Sequence, residues 1–171
     1  YINMPKNIEP EAIKRLQRVK TIVFDFDGVF TDNSVYVDQN GMESVRCSRS
    51  DGVGLRRLDQ IEVRYCILSS EKNPIVTVRG LKLGIEVLQG HENKLPILLG
   101  LAESQEISLE QIAYVGNDIN DLGCLKSVGL PIAVSDAYPE VLDVAKFVTT
   151  RSGGRGAVRE ICDLLFSSRI Q

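Results

Sequence analysis

Apolar residues along this chain follow two rhythms. Short continuous runs rich in β-branched residues alternate with longer segments whose apolar positions recur every three or four residues. The runs "TIVFDF", "RYCILSS", "IEVLQG", "IAYVG" and "LPIAVS" are too short and too β-branched for helices, and predict five buried strands. "EPEAIKRLQRV" (9–19), "DGVGLRRLDQ", "NPIVTVRGLKLG", "NKLPILLGLAESQE", "NDLGCLKSV" and "GAVREICDLLFSS" predict helices. Pro74 stands at a first-turn position and Gly84 near the end of its helix. Between the fifth strand and a Gly-rich turn lie "YPEVLDVA" and "KFVTT", with no element predicted for either.

Strands alternating with helices predict an α/β fold, a Rossmann-like parallel sheet with helices on both faces. Continuously apolar strands fit a sheet covered on both sides. One segment breaks the rhythm. "SVYVDQNGMESVRC" places β-type residues on either side of Asn40-Gly41, which predicts a β-hairpin insertion after the first strand, spanning about 34–47. There is no repeat, low-complexity stretch or linker, so a single domain over 1–171 is expected, with no room for a cap domain.

Composition narrows the function classes. Of 171 residues, 43% are hydrophobic and 25% charged, as in a soluble globular protein. A net charge of −3 supplies no basic field, so nucleic acid is not an expected partner. No apolar run reaches membrane-span length and no leader pattern stands at the start, which favours a cytoplasmic protein without a membrane partner. The chain begins at Tyr1 rather than Met, so it is expected to be processed or excised from something longer. Cys47, Cys66, Cys124 and Cys162 are far apart and form no CxxC, and are expected to be reduced. His91 is the only histidine, no GxSxG accompanies it, and it reads as a loop residue.

Ligands of open parallel sheets bind at the carboxyl ends of strands, and those ends are polar here. The first ends Asp25-Phe-Asp27-Gly28, the second Ser69-Ser70-Glu71-Lys72. His91, Glu92, Asn93 and Lys94 follow the third, and Gly116-Asn117-Asp118-Ile-Asn120-Asp121 closes the fourth. On an extended strand Asp25 and Asp27 would point the same way, and their mutual repulsion calls for a divalent cation. Oxygen ligands suit Mg²⁺. Asp25 could then stay ionised as a nucleophile, with Asp27 as acid and then base. Lys94 would neutralise a transferring phosphoryl group, and Ser69 with backbone N–H groups would hold its oxygens. A phospho-acceptor module of the response-regulator type would also place acids near a lysine, and predicts a stable aspartyl-phosphate without turnover.

The order DxDGVxTD, Ser, Lys, GNxxND resembles the haloacid dehalogenase (HAD) superfamily, from Thr21 to about Leu165. The hairpin after the first motif, the lack of a cap and "SGGRGAVREICDLL" resemble its cap-less group. That group includes the phosphatases of 3-deoxy-octulosonate (KDO) 8-phosphate and of nonulosonate 9-phosphate. The resemblance implies Asp25 as nucleophile, Asp27 as acid/base with its backbone carbonyl on Mg²⁺, Ser69 on the phosphoryl group and Lys94 orienting Asp25. It implies a metal site of Asp25, Asp27 and Asn117 supported by Asp118 and Asp121. It also implies a homotetramer whose hairpins form a central barrel. Gly28, Ser70, Glu71, Arg79 and Lys82 would meet the phosphorylated sugar acid, with Arg79 and Lys82 on one helix face. The chain is also similar to the HAD-like domain fused to sialic-acid (acylneuraminate) cytidylyltransferases. A weakly active oligomerisation domain working with a nucleotidyltransferase is therefore the alternative. Asn117 stands where the family usually has an aspartate, which predicts weaker Mg²⁺ binding and low turnover.

Overall fold

The computed structural model of the protein describes residues 10–170. Helix α1 (Pro10–Arg18) leads into β1 (Thr21–Phe24), the hairpin strands β2 (Tyr36–Val37) and β3 (Glu43–Ser44), and α2 (Ser50–Asp59). Then come β4 (Arg64–Leu68), α3 (Ile75–Leu83), β5 (Glu86–Leu88), α4 (Leu95–Ser104) and β6 (Ile112–Gly116). The one-turn α5 (Leu122–Leu125), β7 (Leu130–Ala133), α6 (Pro139–Val144), β8 (Phe147–Val148) and α7 (Ala157–Arg169) complete the order. Glu9, at the start of the first predicted helix, lies outside the described residues.

Six strands pair in parallel in the order β5-β4-β1-β6-β7-β8. The chain runs outward from β1 through β4 to β5, then returns to β6 on the other side of β1. The loops after β1 and β6 therefore diverge, which opens a crevice at their carboxyl ends. Right-handed crossovers place α2 and α3 on one face and α4, α5 and α6 on the other. Helix α7 packs on α2, with α1 beside it.

The strands are apolar on both faces because both are covered. Ile22, Val23, Phe24, Ile67, Leu68, Tyr114, Val115 and Ile132 have no exposure. Phe26 and Phe30 carry the core into the loop after β1. Phe30 lies edge-on to Phe24 at 5.5 Å and stacked on Phe26 at 5.9 Å. Each buried ring contributes about 2–3 kcal/mol, so this loop is pinned from below. It is also pressed from the side by the Gly-rich segment before α7. A Cβ on Gly153 would overlap the Gly28 carbonyl, and the Gly154 N–H donates to Val29 O at 3.0 Å.

Three expectations change. The sheet has a sixth strand, β8, inside "KFVTT", and a helix, α6, inside "YPEVLDVA". Two strand residues are too few to show a period. The helix expected over "NDLGCLKSV" shrinks to a 3₁₀ turn (Ile119–Asp121) and α5, because Asp121 turns inward. The hairpin forms as expected, with two paired residues per strand, Tyr36 opposite Ser44 and Val37 opposite Glu43. Its turn is closed by Asp38, whose carboxylate accepts from the N–H groups of Asn40 and Met42 at 2.8 and 2.9 Å. Finally, β1 ends at Phe24, so Asp25 and Asp27 are not alternate residues of an extended strand. The chain bends between them.

Candidate active site

Asp25 is the first residue beyond β1, and its N–H still donates to Val115 O of β6 at 2.9 Å. Its side chain is buried beside Lys94, the residue before α4. Lys94 Nζ donates to Asp25 Oδ1 at 2.7 Å and to Asp121 Oδ1 at 2.8 Å. Lys94 and Asp121 have fully buried side chains. Asp121 is held further by the Tyr114 hydroxyl at 2.7 Å and by the Asn117 and Asp118 N–H groups at 3.0 and 3.4 Å. One ammonium thus faces two carboxylates in the interior, a local excess of one negative charge.

Burial and then the Asp121 charge push Asp25 up to about 7, against the pull of Lys94. Burial alone would lower Lys94, but Asp25 and Asp121 hold it above the ordinary lysine value. The like charge that Asp25 feels most is therefore Asp121, ninety-six positions away, rather than Asp27. Asp27 is half-buried, and burial raises its pKa, followed by the charge of Glu71. A raised carboxyl favours the protonated form that can act as an acid.

Asn117 closes the site. Its backbone carbonyl accepts from Tyr138 N–H at 2.9 Å, and its side chain is buried. One end of the amide lies 3.2 Å from Asp25 Oδ2 and 2.9 Å from the Asp27 carbonyl oxygen. With oxygen at that end, three oxygens converge. Octahedral Mg²⁺ with ligands at about 2.0–2.1 Å separates neighbouring oxygens by about 2.9–3.0 Å, close to both distances. The donor set and the excess negative charge therefore fit a small divalent cation. A cavity of about 340 Å³ opens here, lined by Asp25, Asp27, Asn33, Ser70, Asn117 and Asp118 among others. A larger cavity, about 1030 Å³, lies at the opposite sheet end near Lys20, Arg64 and Glu86, away from this cluster.

The other predicted residues are placed unevenly. Ser69 is buried and its hydroxyl accepts from Glu71 N–H at 3.1 Å. Ser70 lines the cavity and accepts from Asn120 Nδ2 at 3.4 Å. Glu71 turns onto its own loop, accepting from the N–H groups of Lys72 and Asn73 at 2.6 and 2.7 Å. Arg79 donates to Ser48 O at 2.8 Å. Lys82 is exposed and outside the cavity lining. Asp118 caps the 3₁₀ turn through Ile119 N–H at 2.7 Å. Gly28 has φ +82°, donates to Thr31 Oγ1 at 3.1 Å, and would overlap the Asn117 amide if it carried a Cβ. His91 sits in a loop as expected.

Two contributors were given no role by the sequence: Tyr114, which read as strand core, and Thr31, which stands within the DxDGVxTD motif. A third buried polar group lies apart from the cluster. Asp51, in the first turn of α2, is buried and its Oδ2 has no hydrogen-bond partner. An aspartate at that position ordinarily reads as a solvated helix start.

Residues 56–161 match the family of haloacid dehalogenase-like hydrolases. The chain belongs to that family. It is 38% identical over 159 residues to the 3-deoxy-D-manno-octulosonate 8-phosphate phosphatase KdsC of Escherichia coli, covering 92% of this chain and 85% of that one. The corresponding Yersinia pestis phosphatase superposes with a TM-score of 0.91 at 34% identity, over 95% of this chain and 89% of that one. The Moraxella catarrhalis phosphatase, solved with magnesium, phosphate and KDO, gives 0.91 at 30% identity, over 95% and 94%. The HAD chain described here is thus a phosphatase of this family.

Proposed function

We propose that this phosphatase hydrolyses a phosphorylated sugar acid of the KDO 8-phosphate type, with Mg²⁺, through an aspartyl-phosphate on Asp25. The observation that carries the reading is the cluster at the ends of β1 and β6. Lys94 ties Asp25 to Asp121, and Asp27 and Asn117 face the same small polar cavity. The KDO 8-phosphate phosphatase relatives support the substrate class.

Asp25 carboxylate attacks phosphorus and the sugar alkoxide leaves, taking a proton from Asp27. Asp27 carboxylate then takes a proton from the water that attacks phosphorus. The P–O bond to Asp25 breaks, releasing inorganic phosphate and restoring the carboxylate. Lys94 holds Asp25 in place and offsets charge on the phosphoryl oxygens, with Ser70 on the cavity wall and Ser69 the candidate to hold those oxygens. Asp25, the Asp27 carbonyl and Asn117 would hold Mg²⁺, which supplies charge neutralisation between carboxylate and phosphoryl group. Gly28, Glu71, Arg79 and Lys82 are the remaining candidates for contact with the sugar acid.

Homotetramer formation through the hairpin is part of the proposal. Val35, Tyr36, Val37 and Met42 are all more than half exposed on a ribbon with open edges. Four free cysteines favour a cytoplasmic setting. No helix of the described residues is long and apolar enough to cross a membrane.

The test is phosphate release from KDO 8-phosphate and from a nonulosonate 9-phosphate, with Mg²⁺ titrated. Asp25→Asn should lose activity by about 10³-fold or more. No release from either, or an unaffected Asp25→Asn, sinks the reading. Asn117 favours a second reading, a weakly active oligomerisation domain of an acylneuraminate cytidylyltransferase. Tetramers without phosphate release would support that.

A further inference from the structure

The Asn117 amide can turn either end toward the acids; one orientation satisfies its protein surroundings, and only the other leaves room for a cation. With nitrogen toward the acids, its NH₂ donates to Asp25 Oδ2 at 3.2 Å and to the Asp27 carbonyl at 2.9 Å. With oxygen there, three acceptors confront one another, and a cation among them, or a proton on Asp25, relieves them. An aspartate has no first option, because a carboxylate donates nothing.

We propose that Asn117 is a latch. In the metal-free protein its side-chain NH₂ fills the cation position and ties the loop after β1 to the end of β6. A half-turn of the amide exchanges nitrogen for oxygen and admits the cation. The proposal rests on the reading of this cluster as a cation site. It explains three features together. Gly28 leaves the space that the amide occupies in either orientation. The Tyr138 N–H holds the Asn117 backbone fixed, so only the side chain must turn. Lys94 engages Asp25 Oδ1 and leaves Oδ2 for the amide.

The latch has a definite cost for metal binding. The cation must displace two hydrogen bonds and gains an uncharged ligand in return. Asn117→Asp should therefore bind Mg²⁺ at least about tenfold more tightly. The same variant without metal should melt about 3 °C or more below wild type, and above it in saturating Mg²⁺. Asn117→Ala adds no charge, and should also melt below wild type when metal-free.

The experiment uses the whole chain, stripped with chelator, and Mg²⁺ alone as probe. Melting is followed with and without Mg²⁺. Side-chain amide NMR follows the Asn117 NH₂ pair, identified by its disappearance in Asn117→Asp. The pair should move on adding Mg²⁺, as its partners change. A pair that Mg²⁺ leaves in place, or an Asn117→Ala that melts as high as wild type without metal, overturns the latch. Neither readout uses phosphate release. A protein that turns over no sugar-acid phosphate but passes both keeps the latch and loses the proposed substrate.

Discussion

Two buried carboxylates in this protein have opposite surroundings. Asp121 receives Lys94, Tyr114 and two backbone N–H groups, so its two oxygens accept four hydrogen bonds. Asp51 is as deeply buried, 1% exposed against 0%, yet its Oδ2 has no partner. Burial pushes Asp51 up to about 7, against the nearby Arg79. No ion pair joins them; Arg79 gives a hydrogen bond to Ser48 O, and its Nε is also unpartnered. The pair teaches that depth alone does not set the cost of a buried acid. The number of donors aimed at it does.

The largest break in this contrast is Lys94→Met. It leaves Asp25 and Asp121 without their shared cation. Stability should fall by about 3–5 kcal/mol, and phosphatase activity by about 10³-fold or more. Thermal melting and phosphate release check both. A variant as stable as wild type would mean that Lys94 does not compensate the two acids.

Asp51→Asn tests the other half. Its folded pKa lies above the unfolded value, so the folded state binds the extra proton between pH 4 and 7. This contribution to stability is complete below about pH 4 and is lost as pH rises through about 7. Removing the carboxylate should leave stability near pH 4 unchanged and raise it at pH 8 by up to about 4 kcal/mol. Denaturant unfolding at both pH values decides this. A lower stability at pH 8 would reveal a strong pairing with Arg79.

Tyr114→Phe removes one of the four donors on Asp121 and little else. A loss of about 1–2 kcal/mol is expected, since the acceptor is charged. A loss below about 0.5 kcal/mol would show that Asp121 is satisfied without it. The smallest effect should come from Lys82→Ala, an exposed side chain with no ion pair among the described residues. Stability should stay within about 0.5 kcal/mol. A raised KM with unchanged kcat would then assign Lys82 to the sugar acid.

Much of the fold was legible because strand and helix periods differ and each segment repeats its own. The site was legible as residue types at strand ends: Asp25, Asp27, Lys94 and the Asn117–Asp121 run. Its internal wiring was not. Asp27 reads as the partner of Asp25 because they are two apart. The bend after Phe24 separates them and the loop after β6 brings Asp121 close instead. Tyr114 and Asp51 were hidden for a related reason. A tyrosine in an apolar run and an aspartate at a helix start are common where nothing depends on them.

The amino-acid sequence alone determined the α/β order, the hairpin at Asn40-Gly41 and the acidic strand ends. Each follows from local period, turn chemistry or residue type. Only the tertiary structure decided which charges meet. It showed that Lys94 bridges Asp25 to Asp121, that Glu71 accepts from the N–H groups of its own loop, and that the Asn117 amide faces both Asp25 and Asp27. The physical reason is that hydrogen bonds and buried charge depend on distances of about 3 Å. Those distances are set when strands from distant parts of the chain pair in register.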